Sequence, residues 1–292
     1  MSQYWLGVDG GGTSCRARLV DEQGNVLGNG KAGSANVMLG VENALAAVIE
    51  AAELACQEAG LSTDVLHQTH AGLALAGAEQ SEYAKAFLQL SHPFASITLD
   101  TDAFGAVLGA FDGQDGAIMI FGTGSCGLLW QNEQVTTVGG HEFPISDHGG
   151  GATLGLEVVR HTLLAAEDII PASQLSEQVM AHFDHDIEAV VRFSKTARPT
   201  DYGQFARPCF DLADAGDPLA KTLIERHLAD CEMLLNALIR RGATQIALMG
   251  SIGQRVASML PASLQPYFVQ PKFDAQHGGI LMAKRAQGLS IG

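Results

Sequence analysis

WLGVDGGGTSCRARLV, residues 5–20, joins two apolar runs through a glycine-rich turn. The first run ends at Asp9, the next three residues are Gly10, Gly11 and Gly12, and polar and apolar residues alternate from Cys15 onward. Alternation with period two is typical of a β-strand, so the stretch predicts strand, tight turn, strand. Glycine permits the backbone angles of such a turn and lets main-chain N–H groups approach an anion closely. These N–H groups and the hydroxyl of the following Thr13 indicate a phosphate-binding hairpin.

A second turn of the same kind is formed by Gly122, Thr123, Gly124 and Ser125, within AIMIFGTGSCGLLW at 117–130. Its apolar flanks again predict strands, and its threonine and serine supply hydroxyl donors. Either turn alone is explained as well by an ordinary hairpin. The two together, with Asp9 leading the first, favour two similar half-domains that hold the phosphate chain of a nucleotide between them.

Two common nucleotide-binding motifs are excluded. A dinucleotide-binding loop needs G-x-G-x-x-G before a helix, whereas here Cys15 stands at the third glycine position and a strand follows. A Walker A loop needs G-K-[ST], which the sequence does not contain.

Composition limits the partners of the chain. Its 292 residues are 47% hydrophobic and 17% charged, enough for a sizeable core and two medium domains. A net charge of -15 argues against binding to nucleic acid or to an anionic membrane surface. Apolar runs of strand length and an N-terminus without a basic segment predict neither a membrane span nor a signal peptide. Five scattered cysteines without a C-x-x-C pair predict reduced thiols and a cytoplasmic location.

Periodicity predicts the same order of elements twice. The first part of the chain reads β-β-β-α-β-α-β, with strands near 3–8, 15–20, 26–31, 70–75 and 96–100 and helices near 41–59 and 79–90. The pattern restarts near 116 with three strands around the second hairpin, helices over 151–241, a buried strand at 246–250 and a helix beginning near Ile252.

We therefore predict an α/β fold of two ribonuclease-H-like domains flanking a nucleotide cleft. The predicted domains are residues 1–110, to which a C-terminal helix at about 276–292 returns, and residues 111–275. A helix near 102–112 is expected at the junction between them.

Asp102 is the candidate catalytic group. It lies in TLDTDAFGA, residues 98–106, where a strand ends and a helix begins, so its carboxylate is expected to face the cleft. There it would accept a proton from a substrate hydroxyl. The alternative is that Asp102, like Asp100, only caps the next helix. The glycine hairpins on either side favour catalysis, and Asp100 is the weaker candidate because it belongs to the strand.

Three other segments carry candidate binding residues. The glycine-rich polar loop at 139–151 is longer than most connections and indicates function rather than a plain connector. Asn36 precedes the first long helix and is either a cap or a hydrogen-bonding ligand for a polar substrate. Gly250 and Ser251 form a strand-to-helix turn that either admits a nucleoside or serves close packing.

These segments together resemble the actin, Hsp70 and sugar-kinase superfamily. The resemblance implies that the two predicted ribonuclease-H-like domains are actin-like ATPase domains. Within this superfamily the chain is similar to the BadF/BadG/BcrA/BcrD ATPase group and to its bacterial glucosamine kinases, which are relatives of N-acetylglucosamine kinases. The motifs that carry the resemblance are DGGGTSCRAR at 9–18, SANVMLG at 34–40, TLDTDAFGA at 98–106, FGTGSCG at 121–127, GGHEFPISDHGGGA at 139–152 and IALMGSI at 246–252.

The resemblance implies a kinase that transfers phosphate from ATP to the 6-hydroxyl of an amino sugar. Asp9 would position Mg²⁺ through water, and Asp102 would accept the hydroxyl proton. The implied ATP-binding residues are Gly11, Gly12, Thr13, Gly122, Thr123, Gly124, Ser125, Gly250 and Ser251. The implied sugar-binding residues are Asn36, Asp102, Gly140 and Asp147.

One departure from the family bears on the substrate. The N-acetylglucosamine enzymes carry a loop that resembles Gly-Gly-Trp-Gly, whereas His141 and Glu142 follow the two glycines here. A carboxylate suits a free ammonium better than an acetamide, so Glu142 is a further substrate-binding candidate and favours glucosamine.

Other functions of the same superfamily stay open at this point. An ATPase that activates acyl-CoA dehydratases would need cysteines for an iron–sulfur cluster shared by a dimer, and Cys126 has no obvious pair. An actin-like filament or chaperone would need additional subdomains. The sequence leaves the oligomeric state open, a homodimer included.

Overall fold

The computed structural model describes residues 3–291. The β-strands are β1 (Tyr4–Gly10), β2 (Cys15–Val20), β3 (Val26–Ala32), β4 (Thr69–Leu75), β5 (Ser96–Asp100), β6 (Gly116–Phe121), β7 (Ser125–Gln131), β8 (Gln134–Gly139), β9 (Ile246–Met249) and β10 (Phe268–Val269). The α-helices are α1 (Val41–Glu58), α2 (Ser81–Leu88), α3 (Asp102–Phe111), α4 (Gly151–Ala166), α5 (Gln174–His182), α6 (Ile187–Ser194), α7 (Pro199–Gly203), α8 (Ala206–Ala215), α9 (Pro218–Arg240), α10 (Gly250–Val256) and α11 (Ala275–Ala286). Among the described residues, none of these helices is long and apolar enough to cross a membrane.

The chain forms two compact units. The first comprises the described residues up to Ile118, Trp130–Val135 and the described residues from Gln270 onward, and the second comprises Met119–Leu129 and Thr136–Val269. The domain boundaries expected from the sequence, near 110 and 276, stay a prediction.

The first sheet has the strand order β3-β2-β1-β4-β5. β1 pairs antiparallel with β2 and parallel with β4, so the hairpin expected at 5–20 and the following meander are confirmed. In this register Asp9 lies directly opposite Arg16. The second sheet has the order β10-β9-β6-β7-β8, which is the same arrangement when the strands are counted within their own half. The predicted α/β duplication is therefore confirmed.

Alanine on α1 and glycine on β3 explain how helix and sheet meet in the first unit. Ala51 and Ala55 of α1 are fully buried. A Cβ atom on Gly30 would overlap the carbonyl oxygen of Ala51, and one on Gly28 would overlap that of Ala55. The small alanine side chains of α1 and the glycines of β3 thus allow the two backbones to pack in close contact.

Several helix boundaries differ from the prediction; α2, for example, spans Ser81–Leu88 rather than 79–90. α10 begins at Gly250 rather than near Ile252, because Gly250 has a φ of 81° and turns the chain directly from β9 into the helix. α11 ends at Ala286 rather than near 292, and Gly288 follows it with a φ of 77°, a left-handed conformation that is common after helix ends.

α11 packs against β1, β4 and α3 of the first unit through glycine. A Cβ atom on Gly7 of β1 would overlap the carbonyl oxygen of Gln276, and one on Gly72 of β4 would overlap that of Gly279. Gly278 meets the carbonyl oxygen of Gly105 in the same way. The strand that leads to Asp9 is therefore held by a helix from the end of the chain.

Gly278→Ala tests this contact. Alanine in a helix interior normally stabilises by up to about 1 kcal/mol relative to glycine. Here the added methyl group would meet the Gly105 carbonyl, so we expect a loss of about 1–3 kcal/mol or more in the free energy of unfolding. Gly33→Ala is the control, because nothing lies within 4 Å of its Cβ position. Urea unfolding measures the free energy of unfolding of both variants. A Gly278→Ala protein more stable than the wild type would contradict the close contact between α11 and α3.

Candidate active site

The first glycine hairpin presents an open face. Its turn closes when the N–H of Gly11 donates to the carbonyl of Ser14 at 2.9 Å, and the carbonyl of Gly11 accepts from the N–H of Ala35 at 3.1 Å. A Cβ atom at Gly11 or Gly12 would meet no atom within 4 Å. Thr13 is exposed. The hairpin is thus held by its hydrogen bond with Ala35, and its glycines leave space for a ligand.

Asp9 at the base of this hairpin forms an ion pair with Arg16. The Asp9 side chain is 18% exposed, whereas that of Arg16 is 55% exposed. Sequence reasoning did not single out Arg16. The hairpin register, which places residue 16 across from residue 9, is the signal that would have found it.

Asp102 is the first residue of α3, and the capping role belongs to its neighbour. The hydroxyl of Thr101 accepts the N–H of Phe104 at 3.1 Å, while a carboxylate oxygen of Asp102 accepts the N–H of Ala103 at 2.8 Å. Asp102 is therefore not needed as the N-cap, which was the alternative to its catalytic role.

The Asp102 carboxyl has an environment suited to a base. Burial raises its pKa. The negative charges of Asp9 and Glu79 also raise this pKa, and the bond from the Ala103 N–H opposes the shift. The first unit thus brings Asp9 and Asp102 within electrostatic reach of each other. The Asp100 residue is exposed, and its carboxylate accepts the N–H of Thr101 at 2.7 Å. Partial desolvation of the carboxyl raises the pKa of Asp100 as well, so it is the position at the helix start and the nearby Asp9 that distinguish Asp102.

Asn36 is a cap in this structure. Its side-chain oxygen accepts the N–H of Met38 at 2.9 Å and so begins the short 3₁₀ turn Val37–Leu39. Gly77, with a φ of 86°, leaves space for this oxygen, which would lie 2.9 Å from a Cβ atom there. No hydrogen bond among the described residues uses the side-chain NH₂ group of Asn36, so a ligand role for that group stays a prediction.

The second hairpin is fixed to the start of α4. The N–H of Gly122 donates to the carbonyl of Gly124 at 2.9 Å and closes the turn. The carbonyls of Gly122 and Thr123 accept the N–H groups of Gly151 and Ala152 at 2.8 and 2.9 Å. A Cβ atom on Gly122 would meet nothing within 4 Å. This hairpin, like the first, is held from one side and open on the other.

The loop between β8 and α4 brings one of its predicted residues to this hairpin. A carboxylate oxygen of Asp147 accepts the N–H of Ser125 at 3.2 Å. Gly140 lies beside Cys126, whose sulfur would be 3.1 Å from a Cβ atom on the glycine. Glu142 is exposed and has a φ of 67°.

A cavity of about 450 Å³ opens beside the second hairpin within the second unit. It is lined by Gly122, Thr123, Gly151, Thr200, Gly203, Ala206, Arg207, Phe210, Asp211, Ser251, Ile252 and Arg255. Ser251 thus lines this cavity, and its contact with a nucleoside stays a prediction. Gly250 packs closely, because a Cβ atom there would overlap the carbonyl oxygen of Phe121, and its role in ATP binding stays a prediction as well.

Sequence reasoning missed the cavity wall formed by α8 and α10. The guanidinium of Arg255 lies 5.7 Å from the ring centre of Phe210 and forms an ion pair with Asp214. No motif marks these residues, because they come from two helices far apart in the chain and meet only through packing.

Comparison with known proteins identifies the family. A model of the BadF/BadG/BcrA/BcrD ATPase family matches residues 6–283. The chain belongs to this family. The resemblance derived from the motifs is thereby confirmed.

Several proteins similar to this chain are sugar kinases. The glucosamine kinase GspK of Vibrio cholerae serotype O1 is 52% identical over 284 residues, which are 97% of each chain. The N-acetyl-D-glucosamine kinase of Dictyostelium discoideum is 22% identical over 255 residues, 82% of this chain and 80% of that one. A solved structure from Chromobacterium violaceum, provisionally assigned as an N-acetylglucosamine kinase, has a TM-score of 0.87 and 30% identity, covering 96% of this chain and 99% of that one.

Gly12→Val separates a ligand-binding hairpin from a plain turn. Nothing lies within 4 Å of the Cβ position, so the stability should stay within about 0.5 kcal/mol of the wild type. The branched side chain would occupy the space of a phosphate oxygen, so ATP should bind more than about tenfold more weakly. Calorimetric titration and thermal unfolding measure the two effects. A large loss of stability with unchanged ATP affinity would favour the plain turn.

Proposed function

We propose that this protein is an ATP-dependent amino-sugar kinase that phosphorylates the 6-hydroxyl of glucosamine. The observation that carries the proposal is the 52% identity, over 97% of each chain, with a glucosamine kinase. The open glycine hairpins would bind the phosphates of ATP, and the partly buried Asp102 would act as the base, which supports the proposal.

The second unit has the features of a nucleotide site. Its cavity of about 450 Å³ is within the range of small-molecule pockets, about 300–1,000 Å³. The ring of Phe210 and the guanidinium of Arg255 in its wall suit a planar base, and Ser251 suits the sugar of the nucleoside. The hairpin at 122–125 borders the same cavity, so the phosphates would continue from the nucleoside onto its N–H groups.

Asp9 is a fitting residue for Mg²⁺. Magnesium keeps several water molecules and is commonly held by one or two carboxylates together with substrate phosphates. Asp9 supplies one such carboxylate at the base of the open first hairpin, and Arg16 orients it. When bound, the ion would neutralise phosphate charge, which a chain of net charge -15 needs locally.

Asp102 would act on the sugar. Phosphoryl transfer requires little covalent chemistry from the protein but does require an oriented nucleophile. A carboxylate with a raised pKa is a stronger base, and the cap by Thr101 fixes the helix end that carries it. Asp102 would therefore orient the 6-hydroxyl and accept its proton as the hydroxyl oxygen attacks the γ-phosphate.

Asp102→Asn tests this role. Loss of a positioned base should lower kcat by roughly 10²–10⁴-fold. Because asparagine removes a partly buried charge, the melting temperature should not fall. Asp100→Asn is the matched control, since its exposed carboxylate should contribute little to turnover. Steady-state kinetics with calorimetry measure both variants, and equal losses of kcat at the two positions would refute the assignment.

The second candidate function is N-acetylglucosamine phosphorylation, favoured by the Dictyostelium relative and by the structural similarity to the Chromobacterium protein. A coupled assay of ADP release with glucosamine, N-acetylglucosamine and glucose distinguishes the two. Absence of stimulation by any amino sugar would refute the kinase proposal. A brown protein with iron absorbance would instead support the dehydratase-activating ATPase.

Glu142→Gln tests the choice of sugar. If the exposed Glu142 carboxylate faces the 2-ammonium group, the charge-assisted bond is worth about 1–3 kcal/mol. The variant should then raise KM for glucosamine by roughly one to two decades and leave that for glucose nearly unchanged.

The matched control for Glu142 is Glu133→Gln. Glu133 is also exposed and has a φ of 61°, so it reproduces both the loss of charge and the backbone conformation. The variant also breaks an ion pair with Arg285 at 3.4 Å, which is worth little at such an exposed position. A parallel loss for glucosamine and glucose in Glu142→Gln would remove Glu142 from the specificity argument.

A further inference from the structure

Asp147 occupies a place on the second hairpin that a phosphate would also use. One carboxylate oxygen accepts the N–H of Ser125 at 3.2 Å. The other would lie only 2.6 Å from a Cβ atom on Gly124, so the carboxylate rests against the bare backbone of the turn. An internal anion thus occupies part of the face on which the proposed function puts ATP.

The backbone of Asp147 is firmly held, whereas its carboxylate is not. Its carbonyl accepts the N–H of Gly150 at 2.8 Å and the hydroxyl of Thr153 at 2.9 Å, and its φ is 64°. The only hydrogen bond of its carboxylate among the described residues is the long one to Ser125. Rotation of the side chain would release the carboxylate without moving the loop.

The side chain of Ser125 has an unsatisfied hydrogen-bonding group. The residue is buried, and its hydroxyl has no hydrogen-bond partner among the described residues. A buried hydroxyl without a partner is unfavourable. The Asp147 carboxylate thus satisfies the N–H of Ser125 but not its hydroxyl, which leaves that hydroxyl as a further donor for a phosphate oxygen.

We propose that the Asp147 carboxylate competes with a phosphate oxygen of ATP for the Ser125 amide, so that ATP binding releases Asp147 to bind a sugar hydroxyl. This inference rests on the proposed kinase function. Two anions repel each other at one donor, so the carboxylate must leave when the phosphate arrives. Release of Asp147 by either ligand then helps the other, so ATP and sugar strengthen each other's binding by the same factor.

Asp147→Asn isolates the charge. Asparagine still offers an oxygen to the Ser125 N–H and tolerates positive φ well. The variant therefore keeps this hydrogen bond and the backbone conformation. Calorimetric titration with a non-hydrolysable ATP analogue and Mg²⁺, without sugar, should show binding about three- to tenfold tighter than in the wild type. In the wild type the analogue should tighten glucosamine binding, and in the variant this effect should be lost.

Asp168→Asn is the matched control. Asp168 also has a positive φ, 56°, and lies two residues after the end of α4, so its substitution reproduces the change in net charge at a similar backbone conformation. The control should bind the analogue as the wild type does.

If Asp147→Asn binds the analogue as the wild type does, or more weakly, the proposal is overturned. Asp147 would then only bind the sugar or only stabilise the hairpin. Equal tightening in Asp168→Asn would overturn it as well, by tracing the effect to net charge. Failure of the proposed function is distinguishable, since it would appear as the absence of sugar-stimulated ADP release by the wild type.

Discussion

Close contact between backbones at glycine is the constraint on which the first unit depends. Gly7 of β1 and Gly72 of β4 lie directly under carbonyl groups of α11, and Gly278 of α11 lies under a carbonyl of α3. A side chain at any of these positions would push the helix away from the sheet. Because β1 runs into Asp9 and the first hairpin, this packing of main chain on main chain positions the residues proposed for catalysis.

In the second unit, a glycine again allows close backbone contact beside the hairpin. Gly250 turns the chain from β9 into α10. It approaches the carbonyl of Phe121, the residue before Gly122, so closely that no side chain would fit. The start of α4 holds the other side of the turn through its N–H groups. The hairpin is therefore shaped before any ligand binds, which lowers the conformational entropy lost on binding.

Three carboxylates beside the proposed site each have a local partner in this acidic chain. Asp9 has Arg16, Asp102 has the N–H of Ala103, and Asp147 has the N–H of Ser125. An acidic protein that binds a polyanion has to keep its own carboxylates from repelling the ligand. The structure suggests two means, an arginine beside one carboxylate and a side chain free to rotate beside another.

Much of the fold was predictable because its signals are local. Both hairpins, the three-stranded meander, α1 and the helical region after the second hairpin follow from periodicity and turn residues within short stretches. The sequence by itself also determined the family, since the motifs occur in a specific order. Only the tertiary structure decided that Thr101 rather than Asp102 caps α3, that Phe210 and Arg255 share a cavity wall, and that Asp147 lies on the second hairpin. The physical reason is that Phe210 and Arg255, like Asp147 and Ser125, are distant in the chain and meet only when whole elements pack, and that the cap depends on which of two adjacent side chains turns toward the helix end.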